Sequence, residues 1–387
     1  MKIKLRHKLV SGIVRPVLIK VLKKKFNLTY ETSDLKPPFI VLANHTTDYD
    51  AFFVNASFKT NLYFVMSDHV SSLKTGKLIK HLVSPIPITK SSIDAETVKN
   101  IYSVLRQGGA VGIFPEGNKS FAGGPSWIKP STAKLVRKAN VPVVLYNIHG
   151  GYLSSPRWSK NKRKGHIHGF VREVIYPQDM ENMTNDELYA KICNGLNVNA
   201  YEIQDQNKVQ FVGENLADNI QALLYYCPKC KSFATVYGEG NNIKCKNCDL
   251  DAVYTEYGYI ENAPFSRLDE WDKWQKEMLS KEDFGEEEKL ITEDHNWEVQ
   301  VKETKFKSVS IGEFTTQLTN KHFILKNDAQ EIKIALPDIV GTAIEGTCSI
   351  QLSLKNGTVY RLKKELETCG LKYVNIISKL NNIPYKF

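Results

Sequence analysis

Through residues 8–25, apolar side chains recur at three- and four-residue steps. Leu9, Val10, Ile13, Val14, Val17, Leu18, Val21 and Leu22 predict one helix with a one-sided apolar stripe. From 37 to about 180 short apolar runs alternate with helical stretches. The predicted strands cover 39–43, 62–66, 86–89, 110–114, 141–148 and 166–175, with helices near 50–58, 71–82, 94–107 and 131–139. Such repetition predicts an α/β fold, a mostly parallel sheet flanked by helices. Thr184, followed by Asp186 and Glu187, marks a helix start, and a helix to about 203 closes this domain. Residues 206–265 are rich in cysteine and carry few long apolar runs. Residues 266–290 are acidic and helical in pattern, with Trp271 and Trp274 three apart on one face. From 295 short strands follow at 331–336, 339–343, 350–354 and 359–362, with Asn356-Gly357 as a hairpin signal and a closing helix at 371–380. The organisation read from this pattern is a helix at 1–25, an α/β domain at 26–205, a cysteine-bearing segment at 206–265, an acidic helical linker at 266–294, and a small β-rich barrel-like domain with a C-terminal helix at 295–387.

The 387 residues suit two or three domains. Their net charge of +10 hides an asymmetry. Residues 1–180 hold 28 Lys or Arg against 10 Asp or Glu, while the remainder holds 24 against 32. A basic first half implies an anionic partner there, whether lipid headgroup, coenzyme A or nucleic acid. Residues 1–25 contain nine Lys or Arg and no acid, which fits a helix lying in the headgroup layer of an anionic membrane. No run reaches 18 uninterrupted apolar residues, and Arg15, Pro16 and Lys20 interrupt the run that a signal peptide needs. The expected location is cytoplasmic, peripheral on the inner face of the cell membrane.

The chemistry concentrates at strand ends. Residues 41–53 run from a buried strand straight into Asn44-His45-Thr46-Thr47-Asp48-Tyr49-Asp50. In an open parallel sheet the crevice beyond the carboxyl ends of the strands takes ligands. On one regular helix His45 and Asp50 would face apart. They can meet only with His45 on the turn and Asp50 in the first helical turn, for which Thr46, Thr47 and Asp48 are candidate N-caps. An imidazole can take a proton from a hydroxyl, and a carboxylate on its other nitrogen fixes the tautomer. A second strand end carries Phe114-Pro115-Glu116-Gly117-Asn118-Lys119-Ser120, where Gly117 permits close backbone approach and Lys119 supplies a cation. Lys90, at a third strand end, opens onto the same edge.

The Asn-His-x-x-x-x-Asp at 44–50, the Phe-Pro-Glu-Gly-Asn-Lys-Ser at 114–120 and Val-Pro-Val-Val at 141–144 resemble, in order and spacing, the motifs of the lysophosphatidate (1-acylglycerol-3-phosphate) acyltransferase family, over roughly residues 25–200. The resemblance implies acyl transfer from acyl-CoA or acyl carrier protein to a lysophospholipid hydroxyl. It makes His45 the base, Asp50 its orienting partner, and Lys90, Glu116, Gly117, Asn118, Lys119 and Ser120 the substrate-binding residues. Lysines stand at 90 and 119 where the family pattern has arginine, a point charge replacing a planar fork.

Cys227, Cys230, Cys245 and Cys248 form two Cys-x-x-Cys pairs separated by 14 residues, the spacing of a zinc ribbon with a structural zinc. The C-terminal block resembles a pleckstrin-homology-like domain with a docking role. The rival reading is a non-enzymatic nucleic-acid-binding protein using the ribbon. It leaves the His/Asp and Glu-Gly motifs idle and places the ribbon in the acidic half, so nucleic acid is not the expected partner. A third reading keeps the fold and changes the acceptor, for example to an amine-bearing lipid.

Overall fold

The structure is a computed structural model that describes residues 5–67, 85–88, 95–304, 307–364 and 368–383, with side chains from Arg15 onward. The chain forms two compact units, one built from residues up to 156 with 162–213, the other from 157–161 with 214–386.

The first unit opens with helix α1 (Leu5–Phe26) and edge strand β1 (Leu28–Tyr30). Then come β2 (Phe39–Ala43), α2 (Asp50–Ala56), β3 (Leu62–Ser67), β4 (Ile86–Ile88), α3 (Ala95–Arg106), β5 (Ala110–Ile113), α4 (Ser131–Ala139), β6 (Val143–His149), a single turn α5 (Gly151–Ser154), β7 (Ile167–Ile175), α6 (Pro177–Glu181), α7 (Asn185–Gly195) and α8 (Ala200–Asn207). The helix expected at 71–82 and Lys90 lie outside the described residues. The strands form one sheet in the order β1-β7-β6-β2-β5-β3-β4. Its pairs are parallel except β6 with β7.

Alternation along the strands feeds two cores. Ile40, Leu42, Val111, Val143 and Leu145 face α3, α4 and α7 through Ile101, Val104, Val136, Leu188 and Ile192. Phe39, Val41, Ala43, Val144 and Tyr146 face α1 and α2 through Leu22, Phe26, Phe53 and Val54. Burial on both faces is why these strands read as continuous apolar runs. At about 25 cal/mol per Å² of buried apolar surface, such a two-sided core dominates the stability of the unit.

Two expectations for this unit are corrected. The stripe on α1 does not act as one face: Leu22 and Phe26 are buried, whereas Val17 and Val21 are 64% and 53% exposed. The helix expected from Thr184 to about 203 is two helices. Thr184 does cap α7, accepting from Glu187 N, but Asn199 caps a new helix by accepting from Tyr201 N and Glu202 N. An Asn carboxamide that bonds the backbone two and three residues ahead favours a helix start over a continuing helix.

The second unit begins with a four-stranded antiparallel ribbon in the order β11-β10-β9-β8, built from β8 (Val236–Glu239), β9 (Asn242–Cys245), β10 (Asp251–Tyr254) and β11 (Ile260–Glu261). Helix α9 (Leu268–Lys281) follows; its Trp271 is fully buried and donates to Tyr226 O at 2.9 Å. Next are β12 (Leu290–Thr304), β13 (Lys307–Thr319), β14 (His322–Lys326), β15 (Glu331–Ala335), β16 (Ile339–Glu345), β17 (Ser349–Leu354), β18 (Val359–Lys363) and helix α10 (Gly370–Leu380). They form an antiparallel ladder in the order β15-β14-β13-β12-β18-β17-β16. Among the described residues β15 and β16 are not paired with each other, so the ladder is open where the sequence predicted a barrel-like domain. Leu371, Val374, Ile376 and Ile377 bury α10 against it.

Candidate active site

The order of strands in the sheet brings the ends of β2, β5 and β6 together, since β2 lies between the other two and runs parallel to both. Asn44, at 3% exposure, ties the end of β2 to β6 by donating to Ile148 O at 3.0 Å and accepting from Ile148 N at 2.7 Å. His45 then stands on the turn, and Asp50 is the first residue of α2. The His45 Nδ1 to Asp50 Oδ2 distance is 2.8 Å. Tyr49, not a threonine or Asp48, occupies the N-cap position and makes no side-chain cap. Thr46 and Thr47 turn to Asp50 instead. Their amides meet Oδ2 at 2.6 and 2.9 Å, and their hydroxyls meet Oδ1 at 3.2 and 2.7 Å. Five donors therefore converge on a carboxylate with no solvent exposure, and the imidazole is one of them. With Nδ1–H given to Asp50, the ring's Nε2 carries the free lone pair. The imidazole is 22% exposed and stacks on Phe114, centroids 4.3 Å apart at 16°; Phe114 in turn stacks on Phe64.

Glu116 points into the protein. Its Oε1 accepts from His45 N at 2.9 Å and its Oε2 from Ser126 N at 3.2 Å. Burial pushes its carboxyl up to about 8, against the pull of those two amides. Gly117 has φ +71° with open space where a Cβ would stand, so its role is the left-handed turn itself. Asn118 is half-buried beside it. Lys119 Nζ lies 2.9 Å from both carboxylate oxygens of Asp48, which is itself 81% exposed. Ser120 ties the loop down: its amide donates to His45 O at 2.9 Å and its hydroxyl to Gly124 O at 2.7 Å. A pocket opens beside these groups, lined by His45, Glu116, Gly123, Tyr152, Val198 and Ile203 among others. Gly150 makes its floor possible, because at φ +75° a Cβ there would lie 2.1 Å from His166 O.

The sequence reading missed Phe114 as the platform under the imidazole, and Thr46 and Thr47 as donors to Asp50. An aromatic ending a strand next to a polar turn is the available signal for the first. The second shows only as hydroxyls crowded before a helical acid.

In the second unit the Sγ atoms of Cys227, Cys230, Cys245 and Cys248 lie within 4.8 Å of one another, with 227–248 at 3.7 Å and 230–245 at 3.8 Å. Four sulfurs about 2.3 Å from a tetrahedral ion stand about 3.8 Å apart, so this donor set fits a metal.

Residues 25–148 match the acyltransferase family. Over 196 residues the chain is 25% identical to a probable 1-acyl-sn-glycerol-3-phosphate acyltransferase of Mycoplasma genitalium, a match covering 49% of this chain and 65% of that protein. Among solved structures, it resembles the 1-acyl-sn-glycerophosphate acyltransferase PlsC from Thermotoga maritima (TM-score 0.40, 18% identity, 50% of this chain, 80% of that one). It also resembles the Vps36 N-terminal PH domain (TM-score 0.21, 18% identity, 24% of this chain, 80% of that one). The matched residues 25–148 include the motifs at 44–50 and 114–120.

Proposed function

We propose that this acyltransferase-family chain is an O-acyltransferase. It moves a fatty acyl group from acyl-CoA or acyl carrier protein to the hydroxyl of a lysophospholipid such as 1-acylglycerol 3-phosphate. The observation that carries the reading is the 2.8 Å bond between His45 Nδ1 and the buried Asp50 carboxylate, inside an acyltransferase-family segment.

His45 Nε2 takes the proton of the acceptor hydroxyl as that oxygen attacks the thioester carbonyl carbon. A C–O bond forms, the carbonyl electrons move to oxygen and return, and the C–S bond breaks. The imidazolium gives its proton to the departing thiolate, leaving an ester and a thiol. Asp50 stabilises the transient imidazolium; its four other donors hold the carboxylate in place and so fix the ring. Glu116 positions His45 through its backbone amide rather than touching substrate. Lys119 receives the acceptor's phosphate by exchanging it for Asp48. The turn at Gly117, with Asn118 and Ser120, keeps that lysine at the mouth.

Two accessory roles belong to the same reading. The four cysteines hold a structural zinc, with no open position for substrate. The exposed Val17 and Val21, with Lys20, Lys23 and Lys24 of α1, meet an anionic membrane surface, where the acceptor resides. Among the described residues no helix is long and apolar enough to cross a membrane.

The test supplies purified protein with a labelled acyl thioester and lysophosphatidate. His45→Ala should lower turnover at least about 10³-fold, and Asp50→Asn about 10²- to 10⁴-fold. Equal turnover by wild type and His45→Ala would refute the assigned base.

A further inference from the structure

Asp48, Tyr49 and Asp50 are consecutive, and each gathers a basic side chain. Asp48 holds Lys119 and Asp50 holds His45. Tyr49 draws two lysines onto one phenol oxygen: Lys162 Nζ at 2.8 Å and Lys25 Nζ at 3.4 Å. The same ammonium groups lie 4.6 and 5.0 Å from the centre of its ring. Lys25 comes from the last turn of α1, Lys162 from the loop before β7, and Tyr49 from the N-cap of α2.

Two like charges this close repel, and the face of a phenol ring offsets only part of that. Among the described residues neither ammonium is paired with a carboxylate, unlike Lys119. The phenol feels the field: its pKa is lowered, first by the Lys162 hydrogen bond, against burial, and further by Lys25. A cation in the last turn of a helix complements the helix dipole, which explains Lys25. It does not explain why Lys162 meets it. Among the described residues both lysines keep unused N–H groups, and the phenol that accepts from both still has its own proton to donate. The cluster is rich in donors, positively charged and one residue from Asp50.

Acyl transfer from a pantetheine thioester to a lysophosphatidate requires two anionic substrates at one base. Lys119 serves the acceptor in the reading above. We propose that Lys25, Lys162 and Tyr49 form a second phosphate site, which binds the phosphate groups that the acyl donor carries on its pantetheine arm. Coenzyme A and a carrier protein share that phosphate chemistry. The inference rests on the acyl-transfer reading.

The test uses the full chain, wild type and the double variant Lys25→Gln/Lys162→Gln. Three donors are compared: a long-chain acyl-CoA, the same acyl group on carrier protein, and its N-acetylcysteamine thioester, which has no phosphate. With the phosphate-bearing donor that wild type uses, the donor KM should rise about tenfold in the variant, with kcat and the acceptor KM held. The phosphate-free thioester should react equally with both proteins, and Lys25→Arg/Lys162→Arg should restore the donor KM. Which phosphate-bearing donor responds identifies the source. An unchanged donor KM overturns the site, as does a rise confined to the acceptor KM. Weaker sedimentation onto phosphatidylglycerol vesicles with an unchanged donor KM also overturns it, and assigns the lysines to lipid headgroups. A wild type that transfers no acyl group sinks the reaction instead. Calorimetric binding of coenzyme A to the same two proteins then decides the site: tighter binding by wild type supports it, and equal or absent binding overturns it.

Discussion

Glu116 is an acid placed where an anion-binding role was expected, yet its oxygens are spent on the amides of His45 and Ser126. Its carboxyl titrates at about 8 in the folded protein against 4.5 for a free side chain. The native state therefore holds an extra proton between those values. The associated stability is fully present below pH 4.5 and is lost as pH rises through about 8. The slope is at most about 1.4 kcal/mol per pH unit. Glu116→Gln cannot ionise, and its NH₂ must face one of the two amide donors, at a cost of about 1–3 kcal/mol at low pH. Urea unfolding from pH 5 to 8 should show wild type losing stability faster than Glu116→Gln, the gap between them narrowing as pH rises. Parallel profiles would exclude this ionisation.

At the scale of elements, α1 is where sequence and structure part most clearly. Its apolar positions were legible, but one-dimensional spacing cannot tell a face that docks on the sheet from one left outside. Leu22 and Phe26 dock, while Val17 and Val21 stay in solvent among lysines. If that outer face meets lipid, Val17→Asp with Val21→Asp should weaken sedimentation with anionic vesicles about tenfold or more while leaving the melting temperature within a few degrees. Undiminished vesicle binding would remove the helix from the membrane reading. The interior was easier to read. Strand β2 and helix α4 have the limits that periodicity gave, because a doubly covered strand and a strongly one-sided helix each leave a simple pattern. The His45–Asp50 pair was accessible from a five-residue spacing. Lys25 and Lys162 were not, since they stand 24 and 113 residues from Tyr49 and no local pattern records such a meeting.

Across the whole molecule, the basic first 180 residues carry the groups assigned to anionic substrates, and the acidic remainder carries the cysteine cluster. The ribbon shares its unit with the C-terminal domain through buried bonds. Gln275 of α9 bonds Tyr225 N at 2.9 Å and Leu223 O at 3.0 Å, and Asn375 of α10 donates to Tyr225 OH at 3.0 Å. Loss of the metal should therefore loosen more than the ribbon. Freshly reduced protein should contain about one zinc per chain, and a strong chelator should lower the melting temperature by several degrees or more. Metal-free protein with an unchanged melt would count against the site.

Three successive residues at the start of α2 each grip a different charged or titrating partner. Peptide geometry sets their Cα separations at about 3.8 Å per step, a dimension that breathing of the surrounding fold cannot stretch. On the proposed assignment, an acceptor phosphate at Lys119 beside Asp48 and a donor phosphate at the lysines of Tyr49 arrive already gauged against the imidazole that Asp50 holds, however loosely the rest of each lipid is held.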